Sequence, residues 1–358
     1  MRTLEQLDLK RIAGQMLILG FQGETVTEGS LIHQEIAENH VGGVILFDKD
    51  MVHHKPVHNI KSPEQVEALC ASLRSYSENP LLISVDQEGG MVNRLKAEYG
   101  FAGSVSHQKI GEKANLTYTY EQASSIAKTL KSVGINLNFA PVVDLDLNDQ
   151  NPIIHKKERS FSANPQDVIN HSRMYCRAQK EQGIFSTLKH FPGHGSSFGD
   201  THLNFTDVTQ TWVEEELEPY TQLITNEGFD EFVMTTHIFN AKLDAEHPST
   251  LSKKILTGLL RNKIGFKGLI VSDDMQMKGI TDKYGIDKAV ILAINAGVDI
   301  LCFGNNLAKK PIGTADLIKF LEKGLYKGEL TEQLLINNYN RIVDFKNRKM
   351  MFTPTIKN

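Results

Sequence analysis

Eight short runs of apolar residues recur along the chain, each flanked by glycine, proline or polar residues. Apolar residues are nearly continuous within each run, which is typical of strands buried on both faces of a parallel sheet. The runs cover residues 15–20, 41–47, 80–86, 134–142, 183–190, 231–237, 268–274 and 296–303. The pattern therefore predicts eight buried parallel strands.

Helical patterns lie between these strands. In the first of them, Val66, Leu69 and Leu73 recur at the spacing of one helix face. Another ends at Gly134, a residue suited to the position after a helix, and a third begins at Ser252, which can act as its N-cap. The predicted helices cover residues 62–77, 121–134 and 252–265.

Eight strands alternating with helices in a chain of 358 residues predict an α/β fold of the (β/α)8 TIM-barrel type. A doubly wound open sheet is the alternative, but no GxGxxG pattern follows the first predicted strand. The segments after residue 310 have polar, helical patterns, and we interpret them as helices that close the barrel. The sequence thus predicts one domain over residues 1–358.

The composition narrows the classes of partner. Charged residues make up 23% of the chain and the net charge is −4, so nucleic acid is not expected as a partner. No apolar stretch approaches the roughly 18 residues of a membrane span, and Lys10 and Arg11 interrupt the N-terminal segment as they would not in a signal peptide. Three widely spaced cysteines predict core thiols in a reducing compartment. We expect a cytoplasmic monomer.

Ionisable residues concentrate at the carboxyl ends of the predicted strands, which is where barrels of this type carry their active sites. A stabilising role rarely needs so many ionisable groups at one rim, so the pattern favours a functional site. These strand-end residues, in chain order, are Asp86, Arg94, Asp144, Lys189, His190, His237, Asp273 and Asp274.

This set suits cleavage of a glycosidic bond. One group must attack the anomeric carbon or activate water, and another must protonate the leaving oxygen. Asp273 follows a buried strand, and we expect it to be the nucleophile. A cap of the next helix is the alternative for a strand-end aspartate, but that role suits Asp274 better because it lies closer to the turn.

The candidate proton donor lies in the segment KHFPGHGSSFGDTH, residues 189–202. Asp200 and His202 are close enough in sequence for the carboxylate to bond one imidazole nitrogen, which leaves the other nitrogen to exchange a proton. A lone histidine is more often packed or solvated, but the neighbouring Asp200 and the presence of Asp273 favour catalysis. Glycines in this segment predict a mobile loop; they are Gly193, Gly195 and Gly199.

The pattern KHFPGHG-x4-DTH resembles the signature of the β-N-acetylglucosaminidases of glycoside hydrolase family 3, in the branch that recycles peptidoglycan. Three further blocks occur in the expected order, and the resemblance extends from about residue 12 to the end of the predicted barrel. The blocks are VDQEGGMVNRL at 85–95, ERSF at 158–161 and PSTLSKKILTGLLRNKIGFKGLIVSDDM at 248–275.

The resemblance implies a retaining exo-β-N-acetylglucosaminidase that acts through a covalent glycosyl-enzyme intermediate. Its substrates would be peptidoglycan fragments (GlcNAc-β-1,4-anhydro-N-acetylmuramyl peptides), with chitooligosaccharides as the other candidate. In this family Asp273 would be the nucleophile, His202 the general acid/base and Asp200 its partner. Five residues would hold the hydroxyls and N-acetyl group of the terminal sugar: Asp86, Arg94, Arg159, Lys189 and His190. No cofactor and no metal is implied.

For the two arginines the alternative is a salt bridge with Asp86 or Glu88 at the barrel rim. Three features depart from the family pattern, and because of them the resemblance does not define the leaving-group subsite. They are Gln276 at a position where the family prefers a small residue, Lys157 where glycine is common, and a long loop at 48–62. His194 is expected to support its loop rather than to act.

Other functions remain as alternatives. A neutral imidazole at His202 would not repel an anionic acceptor, so a β-glycoside phosphorylase, or a β-glucosidase of the same family, is one of them. A catalytically silent sugar-binding barrel would not need Asp273. A metal-dependent barrel hydrolase is the third alternative, although Lys189 would then lie beside the metal. Its candidate ligands are His190, His194, His237 and Asp273.

Overall fold

Eight parallel strands are present in the computed structural model, which describes residues 8–201 and 204–350. Every strand is buried and coincides with one of the predicted apolar runs, the fifth extending one residue beyond its run. In chain order they are β1 (Leu17–Leu19), β2 (Gly43–Leu46), β3 (Leu82–Val85), β4 (Leu137–Asn138), β5 (Thr187–Phe191), β6 (Phe232–Thr235), β7 (Leu269–Val271) and β8 (Leu301–Phe303).

The strands form two parallel sheets. One has the order β4-β3-β2-β1-β8 and the other has the order β5-β6-β7. Isolated parallel bridges connect the region of β4 to β5, at Leu137 with Phe185 and at Val142 with Lys189. A further bridge pairs Val271 of β7 with Ile300, next to β8. The predicted α/β class and parallel pairing are thus confirmed.

Helices separate the strands, and those predicted from the sequence are present. The α-helices are α1 (Leu9–Gln15), α2 (Leu31–Ala37), α3 (Pro63–Ser75), α4 (His107–Glu112), α5 (Leu116–Ser132), α6 (Pro165–Glu181), α7 (Glu218–Thr225), α8 (Lys278–Tyr284), α9 (Ile286–Ala296), α10 (Thr314–Tyr326) and α11 (Glu332–Lys349). A π-helix occupies Lys254–Lys263, and short 3₁₀ turns occupy Ala97–Tyr99, Glu214–Leu217 and Ser249–Leu251. None of the described helices is long and apolar enough to cross a membrane.

The helix boundaries follow from local chemistry. Ser62 Oγ accepts the Gln65 N–H at 3.2 Å and caps α3. Gly134 follows α5 with φ +81°, a left-handed conformation that glycine adopts without steric cost. The helix predicted over 252–265 has the wider π-helical winding, and Ser252 Oγ accepts the Ile255 N–H at 3.1 Å at its start.

The C-terminal helices α10 and α11 both pack against α1, and a buried lysine connects α11 to the strand layer. Lys346 Nζ donates to Gln15 Oε1 at 2.8 Å and to the Gly42 carbonyl at 2.7 Å. Burial lowers the pKa of Lys346 to about 7. The chain after residue 310 is therefore helical, as its pattern predicts, and it packs against the N-terminal helix.

Candidate active site

A cavity of about 450 Å³ opens where several strands end. Its lining includes all five residues predicted to hold sugar, together with Asp273. Segments that follow β2, β3, β5, β7 and β8 contribute to its wall. Six of the eight strand-end residues marked by the sequence pattern line the cavity, whereas Asp144 and His237 do not. The polar lining residues are Asp48, Lys49, Asp86, Asn93, Arg94, Lys96, Lys157, Arg159, Lys189, His190, His194, Thr201, Asp273, Asp274 and Asn306.

Buried ion pairs lie beside the cavity. Lys189 Nζ is 2.8 Å from Asp86 Oδ1 and 2.7 Å from Glu88 Oε1. Arg159 grips the same glutamate in a bidentate pair, with Nε and Nη2 both 2.8 Å from carboxylate oxygens. Two acidic and two basic groups balance in this cluster, and such pairing is what makes burial of charge tolerable.

Glu88 is the centre of this cluster. Burial alone would raise the pKa of its carboxyl, but the charges of Arg159 and Lys189 hold the pKa well below its ordinary value. The salt bridge named as the alternative role for Arg159 is therefore present, and Arg159 lines the cavity as well. From the sequence, Glu88 was expected only as a salt-bridge partner of an arginine, although its position two residues after Asp86 was a visible signal.

Arg94 is held less tightly than Arg159. Its guanidinium lies 3.8 Å from Asp48 Oδ1 and 4.0 Å from Asp86 Oδ2. Its backbone N–H donates to Gln87 Oε1 at 3.0 Å, so the loop after β3 is fixed while the side chain is only loosely paired. Loose pairing leaves N–H groups that can donate to a ligand.

His190 has a defined tautomer. Arg159 Nη2 lies 3.1 Å from Nε2, and because a guanidinium can only donate, Nε2 must accept. Nδ1 therefore carries the hydrogen and donates to Asp144 Oδ2 at 2.7 Å. Burial alone would raise the pKa of Asp144, but interaction with His190 brings it below its ordinary value. Asp144 thus orients a residue of the predicted sugar site.

Consecutive residues of a regular strand point to opposite faces, yet Lys189 and His190 both line the cavity. The pairing of β5 with β6 shifts register between Leu188 and Phe191. The strand is therefore irregular where these two residues lie, and irregular pairing re-aims side chains locally.

Asp273 lies two residues after the end of β7 and faces the cavity. Its Oδ1 accepts the Asp274 N–H at 2.8 Å. Asp274 Oδ1 accepts the Gln276 N–H at 2.9 Å and so stabilises the turn. The predicted helix-capping role is wrong, because Met277 is the N-cap of α8 and no side chain caps it. The two neighbouring carboxylates therefore differ in environment.

One departure from the family pattern acquires a structural role here. Gln276 Nε2 donates to Asn305 Oδ1 at 3.1 Å, and Gln276 Oε1 accepts the Asn305 N–H at 2.8 Å. The pair joins the turn after Asp273 to the loop after β8. Lys157, another residue at which the sequence departs from the family pattern, lines the cavity, and burial lowers its pKa.

The loop after β5 is anchored in its first half. Gly195 N–H donates to Glu216 Oε2 at 2.9 Å, and Asn151 Nδ2 donates to the carbonyls of His194 and Gly195 at 2.9 and 3.0 Å. Trp212 Nε1 donates to the Pro192 carbonyl at 3.1 Å. His194 Nδ1 lies 2.8 Å from Ser197 Oγ, in keeping with the supporting role expected for this histidine.

Two glycines of the loop after β5 are required by close packing. A Cβ on Gly195 would lie 1.7 Å from the Leu145 carbonyl oxygen, and Gly193 has φ +118° and would meet Glu216. Both positions need glycine for close packing, so these two glycines have a structural reason that does not depend on mobility, and a mobile loop stays a prediction. Asp200 is half-buried and Thr201 reaches the cavity, whereas His202 lies outside the described residues.

The ring nitrogens of His190 and His237, two of the proposed metal ligands, are engaged elsewhere, whereas His194 Nε2 is buried without a hydrogen-bond partner among the described residues. His237 Nδ1 is 2.9 Å from Thr250 Oγ1 and its Nε2 is 3.0 Å from the Asp274 carbonyl. Both nitrogens of His190 are also hydrogen-bonded. Across residues 8–201 and 204–350, no three His, Cys, Asp or Glu side chains are grouped as a metal would require.

Comparison with known proteins identifies the family. Residues 7–345 match the glycosyl hydrolase family 3 N-terminal domain, and the chain belongs to this family. It is 33% identical over 322 residues to a β-hexosaminidase A of Pseudoalteromonas piscicida, covering 86% of this chain and 52% of that protein. It is 35% identical over 275 residues to a β-hexosaminidase of Tolumonas auensis, covering 75% of this chain and 77% of the relative.

Among solved structures, a glycoside hydrolase family 3 β-N-acetylglucosaminidase from Paenibacillus sp. FPU-7 superposes with a TM-score of 0.85 at 29% identity. That match covers 98% of this chain and 64% of the solved one. The chain thus spans about half of the Pseudoalteromonas protein and less than two thirds of the Paenibacillus chain.

Proposed function

We propose that this protein is a retaining exo-β-N-acetylhexosaminidase that hydrolyses terminal, non-reducing N-acetylglucosamine. The observation that carries the proposal is one cavity, in a glycosyl hydrolase family 3 chain, that contains Asp273 beside a buried set of sugar-binding candidates. The names of the β-hexosaminidase relatives support the same activity.

In this proposal the floor of the cavity holds the terminal sugar. Asp86 accepts hydrogen bonds from hydroxyl groups, while Arg94 and Lys189 donate in fixed directions. Arg159 keeps His190 in the tautomer whose Nδ1 faces Asp144. The groups are already paired with each other, so the site is organised before a ligand arrives.

The proposed reaction has two steps. Asp273 attacks the anomeric carbon while His202 protonates the glycosidic oxygen, and His202 then removes a proton from the water that releases the sugar. Asp200 orients the imidazole in this scheme. The product keeps the anomeric configuration of the substrate because two inversions occur at the same carbon.

We also propose that the eight strands close into a (β/α)8 barrel within one domain over residues 1–358. The isolated parallel bridges between the two sheets support closure, because they occur at both junctions. Peptidoglycan fragments are the proposed natural substrates, with chitooligosaccharides as the alternative, in a cytoplasmic, monomeric protein.

The test is hydrolysis of an aryl β-N-acetylglucosaminide by the wild type and by Asp273→Ala. We expect the substitution to lower kcat/KM by at least about 10³-fold, since it removes the nucleophile. Asp287→Ala is the matched control, because Asp287 lies on the outer helix α9, where it bonds Lys323. Comparable rates for wild type and Asp273→Ala would disprove the assignment.

A further inference from the structure

The mouth of the cavity carries apolar side chains that solvent reaches. Met51, Met91 and Leu307 are 57, 63 and 46% exposed, and all three line the cavity. We call these three residues the apolar rim. Large apolar side chains that gather at the edge of a pocket, rather than scatter over the surface, are characteristic of binding sites.

The apolar rim is built from three loops that the structure connects. Asn306 Oδ1 accepts the Met51 N–H at 2.8 Å, and Asn306 Nδ2 donates to the Lys49 carbonyl at 2.9 Å. These bonds fasten the loop after β2 to the loop after β8. Lys96 Nζ lies 2.7 Å from Asp48, which connects the same wall to the loop after β3.

The long loop at 48–62 supplies part of this wall, and it was a feature that the family pattern did not explain. Asp50 and Lys55 pair in an antiparallel bridge with N–H···O distances of 3.1 and 3.0 Å. The His58 N–H donates to the Asp48 carbonyl at 3.0 Å. The loop is thus a pinned hairpin, and Met51 lies in its turn.

The charged and the apolar side chains of the cavity lie at different depths. The ion-paired cluster around Lys189 and Glu88 is buried, whereas the apolar rim is at the opening. An enzyme that removes a terminal sugar must bind that sugar deep and leave the remainder of the substrate at the mouth. The charged floor therefore suits the terminal sugar, and the rim faces what is attached to it.

We infer that the apolar rim is the leaving-group subsite and selects an aglycone with an apolar face. This inference rests on the proposed glycosidase function. Two of the three rim residues are methionines, whose flexible, polarisable side chains adapt to ligands of different shape. We expect kcat/KM to rise with the apolar area of the aglycone and to depend only weakly on the aglycone's shape.

The test compares hexyl and methyl β-N-acetylglucosaminides by release of free N-acetylglucosamine. Burial of one methylene group is worth about fourfold in an equilibrium constant, so contact with two or three predicts a roughly 10- to 50-fold higher kcat/KM for the hexyl glycoside. In Met51→Ser/Met91→Ser/Leu307→Ser this ratio should fall at least about fivefold. The single variant Met91→Ser should lower it less.

Leu31→Ser/Tyr326→Ser is the matched control, because both residues are exposed and apolar but lie outside the cavity lining. Its hexyl-to-methyl ratio should equal that of the wild type. A wild-type ratio near one, or a ratio that the rim substitutions leave unchanged, overturns the inference while the glycosidase proposal stands. Absence of N-acetylglucosamine release from either glycoside and from the aryl substrate overturns both.

Discussion

The two halves of the segment KHFPGHGSSFGDTH differ sharply in environment. Residues 189–197 are all buried, and hydrogen bonds from other parts of the chain hold their backbone. Beyond them, Phe198 is 66% exposed, and Gly199 and Asp200 are partly accessible. One continuous motif therefore contains a part that belongs to the core, residues 189–197, and a short accessible stretch, residues 198–200.

We interpret this difference as a division of roles, in which the first half of the segment binds sugar and the second half transfers protons. A sugar subsite gains from groups that are fixed before the ligand arrives, and the first half provides them through Lys189 and His190. A group that exchanges protons with both a leaving oxygen and water needs access, and solvent reaches Phe198, Gly199 and Asp200 of the second half, although Thr201 is buried. We therefore expect substitutions in the first half to affect stability and activity together, and those in the second half to affect activity alone.

The largest effect is expected for Lys189→Met. Removal of one partner leaves Glu88 short of a charge that offsets its burial, and breaking such a pair destabilises a protein by about 3–5 kcal/mol. Urea unfolding would measure this loss, and kcat/KM should fall by at least about 10³-fold. The exposed pair of Lys323 and Asp287 is the control, and Lys323→Met should change stability by about 1 kcal/mol or less. Equal losses of stability for the two lysine variants would contradict the interpretation that residues 189–197 belong to the core.

His202→Ala should act on the reaction and not on the fold. With a poorly activated alkyl leaving group we expect a loss of about 10²- to 10³-fold in kcat/KM, since general acid catalysis contributes that much. With an activated phenolate the loss should be much smaller, because such a group needs little protonation. An equal loss on both substrates would count against His202 as the acid, and a large drop in melting temperature would place it with the first half.

Gly195→Ala and Gly199→Ala test the same comparison through packing. The added methyl at Gly195 meets a backbone carbonyl, which cannot move alone, so we expect a loss of about 3 kcal/mol. At Gly199 the nearest atoms all belong to the Thr206 side chain, with Oγ1 2.6 Å away, and a side chain can shift more readily than a backbone carbonyl. The second variant should therefore be the more stable of the two by calorimetry, and the reverse order would refute the division.

The smallest effect concerns Glu216, which accepts the Gly195 N–H beneath the first half. Burial raises the pKa of its carboxyl from 4.5 to about 7. Because the folded protein then binds this proton more tightly than the unfolded chain, its contribution to stability is complete below pH 4.5 and declines as pH rises through 7. Between these values wild type should lose on the order of 1–3 kcal/mol relative to Glu216→Gln, measured by urea unfolding across pH. Parallel pH profiles for the two proteins would contradict this.

Much of the fold could be predicted because a strand that is buried on both faces appears in the sequence as a continuous apolar run. Each strand falls on a predicted apolar run, and Asp86, Lys189 and Asp273 could be placed at strand ends by position alone. Glu216 could not be found in this way, because it lies among three consecutive glutamates with nothing to distinguish the buried one. Asp144 was visible at a strand end, but its hydrogen bond to His190 depends on two strands meeting in space.

The sequence by itself determined the order of parallel strands and helices, the convergence of ionisable groups and the family resemblance. These follow from local periodicity and from residue types, which need no knowledge of distant contacts. Only the tertiary structure decided that Arg159 pairs with Glu88, that Gly193 and Gly195 serve packing, and that the apolar rim faces the same cavity as Asp273. Such properties depend on contacts between residues far apart in the chain, and no local pattern encodes them.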